Sequence, residues 1–318
     1  MQLAKVEHRL KPGSKAQHYI ADVIGELEGP TIIAVAGIHG NEATGIGAIK
    51  RVIEEIEPIK SKLKGRFLGL KGNIPALAAG VRFVNEDMNR LWTTSILDKI
   101  RRTKSRELSS IDRVEVKKML QILDPIVLDS NDEEVIYVDL HTFSGSGGLF
   151  TITPDDERHI EIISKLGVPR ILGIHYSLPG TSMEYVEDAG HIGFAFETGT
   201  HGSREAEDNA YAGLLVLLES VGMINKNDIP DFDIQHDYLM SRVSGYPSEV
   251  DFLYKHIIED GDEFEMRPGF QNFDQVVKGD WLANDRNGKI RAQAGGYLLM
   301  PLYQKQGNDG FFIVRDCE

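Results

Sequence analysis

Hydrophobic and polar positions alternate between two periods along the first two-thirds of the chain. Residues 31–37 (TIIAVAG) form a short, continuously apolar, β-rich run, and 66–71 and 135–140 (VIYVDL) repeat the pattern. Such runs predict strands buried on both faces. Residues 148–153 and 192–196 (IGFAF) read as two more strands. Between them, apolar residues recur at helical spacing: Ile46, Ile49, Ile53 and Ile56 within 42–57, then Leu108, Ile111, Val114, Met119, Ile122 and Leu123 within 107–124. Residues 204–222 predict a further helix, opened by the turn and cap chemistry of His201, Gly202 and Ser203. Alternation of this kind predicts an α/β mixed sheet flanked by helices.

The texture changes near residue 230. Helical stripes fade, and short β-rich runs lie between the turn signals Asp260-Gly261, Lys278-Gly279, Asn287-Gly288 and Gly295-Gly296. The expected organisation is a first unit over 1–230 and a smaller β-rich C-terminal unit over 231–318. The second unit's glycine spacing resembles a lipoyl- or biotinyl-carrier half-barrel. No lysine occupies the modification turn, so the region reads as structural.

Composition narrows the partners. A net charge of −14 argues against nucleic acid and against an anionic membrane surface, both of which need a basic patch. No run of about 18 apolar residues occurs, so no transmembrane helix is expected. The opening MQLAKVEHRL lacks the apolar stretch of a secretory signal. One cysteine, Cys317, excludes an intrachain disulfide and any cysteine-built metal site. The expectation is a cytoplasmic protein, its oligomeric state open.

Candidate chemistry gathers at the ends of the predicted strands, where open α/β sheets place ligands. The segment AGIHGNEATG at 36–45 follows a strand and opens a helix, and lets His39 and Glu42 point at one ion. It matches neither a P-loop nor a dinucleotide fingerprint. A structural turn with solvated polar groups remains the alternative reading. Val138-Asp139-Leu140-His141-Thr142 ends another strand with a histidine, which falls at the same carboxyl edge as His39. Asp139 reads equally well as a group orienting a ligand or as a strand-end hydrogen bond. Glu197, in Phe196-Glu197-Thr198-Gly199, is placed to take a proton from an attacking water, or else is simply solvated. Arg82 and Asp87-Met88-Asn89-Arg90 offer guanidinium forks for a carboxylate or an oxyanion, with surface ion pairing as the alternative. His159, His175, His191 and His201 read as hydrogen-bonding or solvent-facing histidines, and the charged segment 96–134 carries no assigned role.

Taken in order, these pieces resemble the succinylglutamate desuccinylase and aspartoacylase family, a branch of the zinc-carboxypeptidase-like fold. The match runs through GIHGNE at 37–42, GNIPA at 72–76, Arg82, DMNR at 87–90, DLHT at 139–142 and ETG at 197–199. The resemblance implies one Zn2+ per chain held by His39, Glu42 and His141. It implies Glu197 as general base and Arg82 as the group that polarises the scissile carbonyl. Asn89 and Arg90 would hold the substrate's carboxylate, and Asn73 would support the loop or the substrate. The implied reaction is hydrolysis of a small N-acyl amino acid. A zinc carboxypeptidase acting on short peptides and a non-catalytic zinc-binding protein are the alternatives. One departure stands out: aspartoacylases carry a further arginine shortly before the base, but 182–191 here is SMEYVEDAGH. A C-terminal tyrosine used by some members finds only Tyr303 as its nearest counterpart.

Overall fold

In the computed structural model, which describes residues 11–128 and 134–317, strands from the N-terminal and C-terminal parts of the chain build one large mixed sheet. The opening ten residues, read above for a leader, lie outside the described residues, as do 129–133 of the charged segment. Strands β1 (Tyr19–Ile24), β2 (Leu27–Ala36), β3 (Lys64–Lys71), β4 (Val135–Phe143), β5 (Phe150–Ile152), β6 (Arg170–Leu172), β7 (Ile192–Thr200) and β8 (Glu249–Ile257) are followed by β9 (Glu265–Met266), β10 (Asp274–Val276), β11 (Trp281–Asp285), β12 (Gly288–Arg291), β13 (Gly296–Leu299) and β14 (Asp309–Asp316). Eleven of them pair in the order β1-β3-β2-β4-β7-β5-β6-β8-β14-β13-β10, and β12-β11-β9 form a small second sheet. The block β3-β2-β4-β7 is parallel. The C-terminal strands join through the parallel β6–β8 pair and continue as antiparallel hairpins.

The apolar runs form central strands because they can bury both faces. On β2, Ile32, Ala34 and Ala36 enter one core and Ile33 and Val35 the other, all fully buried. Helices α1 (Thr44–Ile56) and α5 (Arg204–Ser220) cover the first face; α2 (Thr94–Arg102), α3 (Ile111–Val127) and α4 (Ser182–Asp188) cover the second. Odd-numbered residues of β4 and β7 point to the second face, which puts Asp139, His141, Phe143, Ala195 and Glu197 on one side of the sheet.

The sequence-predicted strands and helices all appear, with bounds shifted by up to four residues; the helix expected over 107–124 runs Ile111–Val127. One expectation needs correction: the helical pattern does not end at 230, because α6 (Phe232–Val243) packs against α5. It buries only Phe232 and Leu239, so its sequence carries little amphipathic signal. After it the C-terminal part is β-rich, with its own small core around Leu282, Leu298, Phe311 and Ile313.

Candidate metal centre and active site

The loop after β2 is shaped by glycines. Gly37 has φ +74°, and a Cβ on Gly40 would sit 2.0 Å from the Ala76 carbonyl carbon. The chain can therefore turn sharply against the helix Ile74–Ala79 and present His39 and Glu42 at the carboxyl edge of the sheet. β4 ends beside it with His141. Nδ1 of His39 lies 3.0 Å from Glu42 Oε1, and Nδ1 of His141 lies 3.0 Å from Glu42 Oε2. Ligand atoms of the three residues all fall within 4.8 Å of one another, and all three side chains are buried. This group could hold a metal ion.

Two observations test whether a cation fits. His39 Nδ1 is buried and, despite its short distance to Glu42, has no hydrogen bond of acceptable geometry. That leaves the His39 nitrogen available to a cation, while His141 Nδ1 is hydrogen-bonded to Glu42 Oε2 at 3.0 Å. The outer nitrogens are backed by carboxylates: His39 Nε2 lies 3.1 Å from Asp87 Oδ1, and His141 Nε2 lies 2.8 Å from Asp139 Oδ2. With a cation in place, Nε2–H groups donating outward would turn both Nδ1 lone pairs inward, an arrangement typical of metal-binding histidines. Nitrogen and carboxylate donors in this number suit zinc.

The electrostatics agree. Burial alone would raise the Glu42 carboxyl, yet His39 and His141 hold it well below the usual carboxylate range. Burial opposes the charged form of Asp87 too, but Arg82 and His39 hold that carboxyl low. His141 is pulled down by burial and pushed well above its usual range by Asp139 and Glu42. A field that draws a proton so strongly to a buried imidazole also draws a cation.

Glu197 stands opposite. Burial, with Glu42 and Asp139 adding to it, pushes its carboxyl up to about 8 against the pull of His141 and Arg82. Its Oε2 is buried without a hydrogen-bond partner, free to act on something in the cavity. Arg82 reaches Asp87 Oδ2 from Nε at 3.2 Å and Glu42 Oε1 from Nη1 at 3.4 Å. Arg90 donates to Asp309 Oδ2 at 2.7 Å and to the Asn89 carbonyl at 2.8 Å. Asn89 is fixed from two sides, donating to Asp139 Oδ2 at 3.4 Å and accepting from Ser182 N at 2.9 Å.

His39, Glu42, Arg82, Asn89, Arg90, His141 and Glu197 all line one cavity. Asn73 does not. It is fully buried, caps the helix Ile74–Ala79 by accepting from Ala76 N, and donates to Asp112 Oδ1 at 2.7 Å. Asp112 also accepts from the backbone N–H groups of Val84, Asn85 and Glu86, so Asn73 touches the loop that delivers Asp87 rather than the cavity. Tyr303 is also outside the cavity lining, its hydroxyl donating to the Arg267 carbonyl at 2.8 Å. Among the four unassigned histidines, His175 lines the cavity, while His201 lies 2.7 Å from Thr142 Oγ1 and 3.2 Å from Gln304 Oε1 at the site's edge. His159 pairs with Asp156 and His191 with the Val127 carbonyl.

Sequence reasoning missed the groups that arrive from the C-terminal part. Gln304 accepts from Asn41, Gln306 accepts from Arg82 N, and Asp309 holds Arg90. It also missed Asp87 as the partner of His39, although Asp87 sat in a motif already singled out.

Residues 28–218 match the family model for the succinylglutamate desuccinylase/aspartoacylase catalytic domain. A probable aspartoacylase of Nostoc sp. is 22% identical over 282 residues, covering 86% of this chain and 90% of that protein. A succinylglutamate desuccinylase of Shewanella putrefaciens is 25% identical over 289 residues, covering 84% of this chain and 76% of that protein. Among solved structures, a succinylglutamate desuccinylase/aspartoacylase from Rhodobacter sphaeroides superposes with a TM-score of 0.67 at 17% identity, covering 93% of this chain and 88% of that one. The product-bound ectoine utilization protein EutE (DoeB) from Ruegeria pomeroyi has a TM-score of 0.61 at 18% identity, covering 92% and 87%. At these identities the structural likeness shows the fold.

Proposed function

The chain belongs to the succinylglutamate desuccinylase/aspartoacylase family, a family of deacylases, and from that premise we propose a zinc-dependent hydrolase that cleaves the amide of a small N-acyl amino acid. The observation that carries this reading is the Glu42 carboxylate held between two imidazoles, with Glu197 in the same cavity and its Oε2 without a hydrogen-bond partner among the described residues.

His39, Glu42 and His141 would hold one zinc ion, which when bound supplies Lewis-acid polarisation and a lowered pKa for water. Glu197 takes the proton of the attacking water and returns it to the leaving amine. Its burial, which lifts its proton affinity toward neutrality, suits both tasks. Arg82 meets the scissile carbonyl and the oxyanion that develops from it, anchored by Asp87 and Glu42. Asn89 orients the site through Asp139, and Arg90 binds the carboxylate of the amino-acid portion. Asn73 acts indirectly, by holding the 84–86 loop through Asp112.

The proposal includes a catalytic unit over 1–230, a β-rich unit over 231–318 that contributes the rim of the site, a cytoplasmic location, and a small-molecule substrate. Among the described residues no helix is long and apolar enough to cross a membrane. The experiment is amine release by zinc-loaded protein from a panel of N-acyl amino acids and short peptides, with a chelator arm. Chelator-sensitive release from acyl amino acids with peptides left intact supports the reading. Release from peptides alone makes the protein a carboxypeptidase, and silence throughout makes it a non-catalytic metal binder.

A further inference from the structure

Behind the His141–Glu197 pair the sheet offers a substrate an aspartate and apolar side chains, and no cation. In the β4–β7–β5 ladder, His141, Glu197 and Phe150 form one row, and Asp139, Ala195 and Ile152 form the next on the same face. Ala195 retains 7% exposure in the middle of an eleven-stranded sheet, while its strand neighbours Phe194 and Phe196 retain 0% and 1%. Since Ala195 lines the cavity, that exposure opens into it. Its short side chain takes up little of the cavity, whose wall also includes the apolar Phe143, Ile152, Leu178, Met183 and Phe312.

The charge count is equally specific. Among the described residues, the Arg and Lys side chains lining the cavity are Arg82 and Arg90. Arg82 is already matched by Asp87 and Glu42. Arg90 shares Asp309 with Lys255, whose Nζ lies 2.8 Å from Asp309 Oδ1, so the Lys255–Asp309–Arg90 group has one net positive charge. That suffices for one carboxylate. α4, which precedes β7, brings Met183 to the wall and no cation. The wall also carries His175, whose imidazole burial pushes toward its neutral form, and hydroxyl and amide groups, so a second carboxylate would be desolvated with no further Arg or Lys to pair it, which is unfavourable.

We propose that the recess over Ala195 is an apolar subsite and that the preferred substrates are N-acyl amino acids with a single carboxylate and an apolar chain. This rests on the deacylase reading and narrows it away from aspartate, glutamate and succinyl groups. The apolar chain can belong to the amino acid or to the acyl group, and the test separates the two.

The zinc-loaded protein is assayed with N-acetyl-leucine, N-hexanoyl-glycine, N-acetyl-aspartate and N-succinyl-glutamate. Calorimetric titration of N-acetyl-leucine and N-acetyl-aspartate into Glu197→Gln protein gives binding without turnover. The expected result is that kcat/KM for one of the two apolar substrates exceeds that for both dicarboxylic ones by about 30-fold or more, a size normal for a few methylenes in a fitted pocket. N-acetyl-leucine leading places the chain on the amino-acid side; N-hexanoyl-glycine leading places it on the acyl side. Ala195→Leu should fill the recess and lower the ratio of kcat/KM for the leading apolar substrate to that for N-acetyl-alanine by about tenfold. Preference for either dicarboxylic substrate, or an unchanged ratio in Ala195→Leu, overturns the subsite and leaves the deacylase standing. Tight binding of N-acetyl-leucine with no turnover of any substrate overturns the deacylase and leaves the subsite. Neither binding nor turnover removes both.

Discussion

His141 on β4 stands directly opposite Glu197 on β7 in the parallel register. The backbone ladder that joins the two strands thus fixes the imidazole proposed to bind metal and the carboxylate proposed to accept a proton side by side, on rigid elements rather than on loops. The same ladder sets Asp139 opposite Ala195, so the group that orients His141 and the floor of the proposed apolar recess are spaced by the same pleat.

Because Glu197 Oε2 has no hydrogen-bond partner among the described residues, its removal should cost chemistry and little else. Glu197→Gln is expected to lower kcat by about 10²–10⁴-fold with zinc content and melting temperature close to wild type. Steady-state kinetics beside metal analysis check this. A variant that keeps its turnover takes Glu197 out of the mechanism.

Asp87 and Asp139 hold the outer nitrogens of the two histidines. Asp139→Asn and Asp87→Asn should each weaken zinc binding by roughly 10–100-fold, measured by competition with a chromogenic chelator. Unchanged affinity in both variants would contradict the orienting role.

Asp112 is fully buried and accepts from Asn73 Nδ2 and three successive backbone N–H groups at 84–86, immediately before Asp87. Asp112→Ala leaves the buried Asn73 amide and three part-buried backbone donors without their acceptor, with an expected loss of about 2 kcal/mol in urea unfolding. Where the variant is folded, zinc affinity should fall as well, because Asp87 loses its support. Full affinity in folded Asp112→Ala would confine Asp112 to stability.

Glu187 gives a pH signature away from the metal centre. Burial, with Glu184, Asp156 and Asp188 near it, raises its carboxyl from 4.5 to about 8. Between those values the folded protein keeps a proton that the unfolded chain has released, so stability declines as pH rises through that window. Glu187→Gln should therefore be more stabilising at pH 8 than at pH 5, by about 1 kcal/mol after allowance for partial solvent exposure. Thermal denaturation at the two pH values decides it, and an equal effect at both would show that Glu187 ionises freely in the fold.

The sequence reveals most clearly what one strand or one turn encodes. β2, β4 and β7 are visible as apolar runs because they are buried on both faces, and GIHGNE and DLHT are visible because each ligand lies at the end of such a run. β6 is only Arg170–Leu172, and β1 is an edge strand with one buried residue, so neither has a readable period. The Arg90–Asp309 and Asn41–Gln304 contacts bridge 219 and 263 residues. No local pattern encodes such pairs; they exist only because β8 and β14 extend the sheet and return the 300–309 loop to the first motif. Asn73 shows the opposite limit: its motif is legible, but whether it faces substrate or a buried aspartate depends on α3, which lies far along the chain.

The most direct test is the zinc content of purified protein by mass spectrometry, compared between wild type and His141→Ala. One zinc per chain in wild type, and a large loss in His141→Ala, is the predicted result. No zinc after loading, or equal zinc in the two proteins, would contradict the metal centre on which the proposed hydrolysis depends.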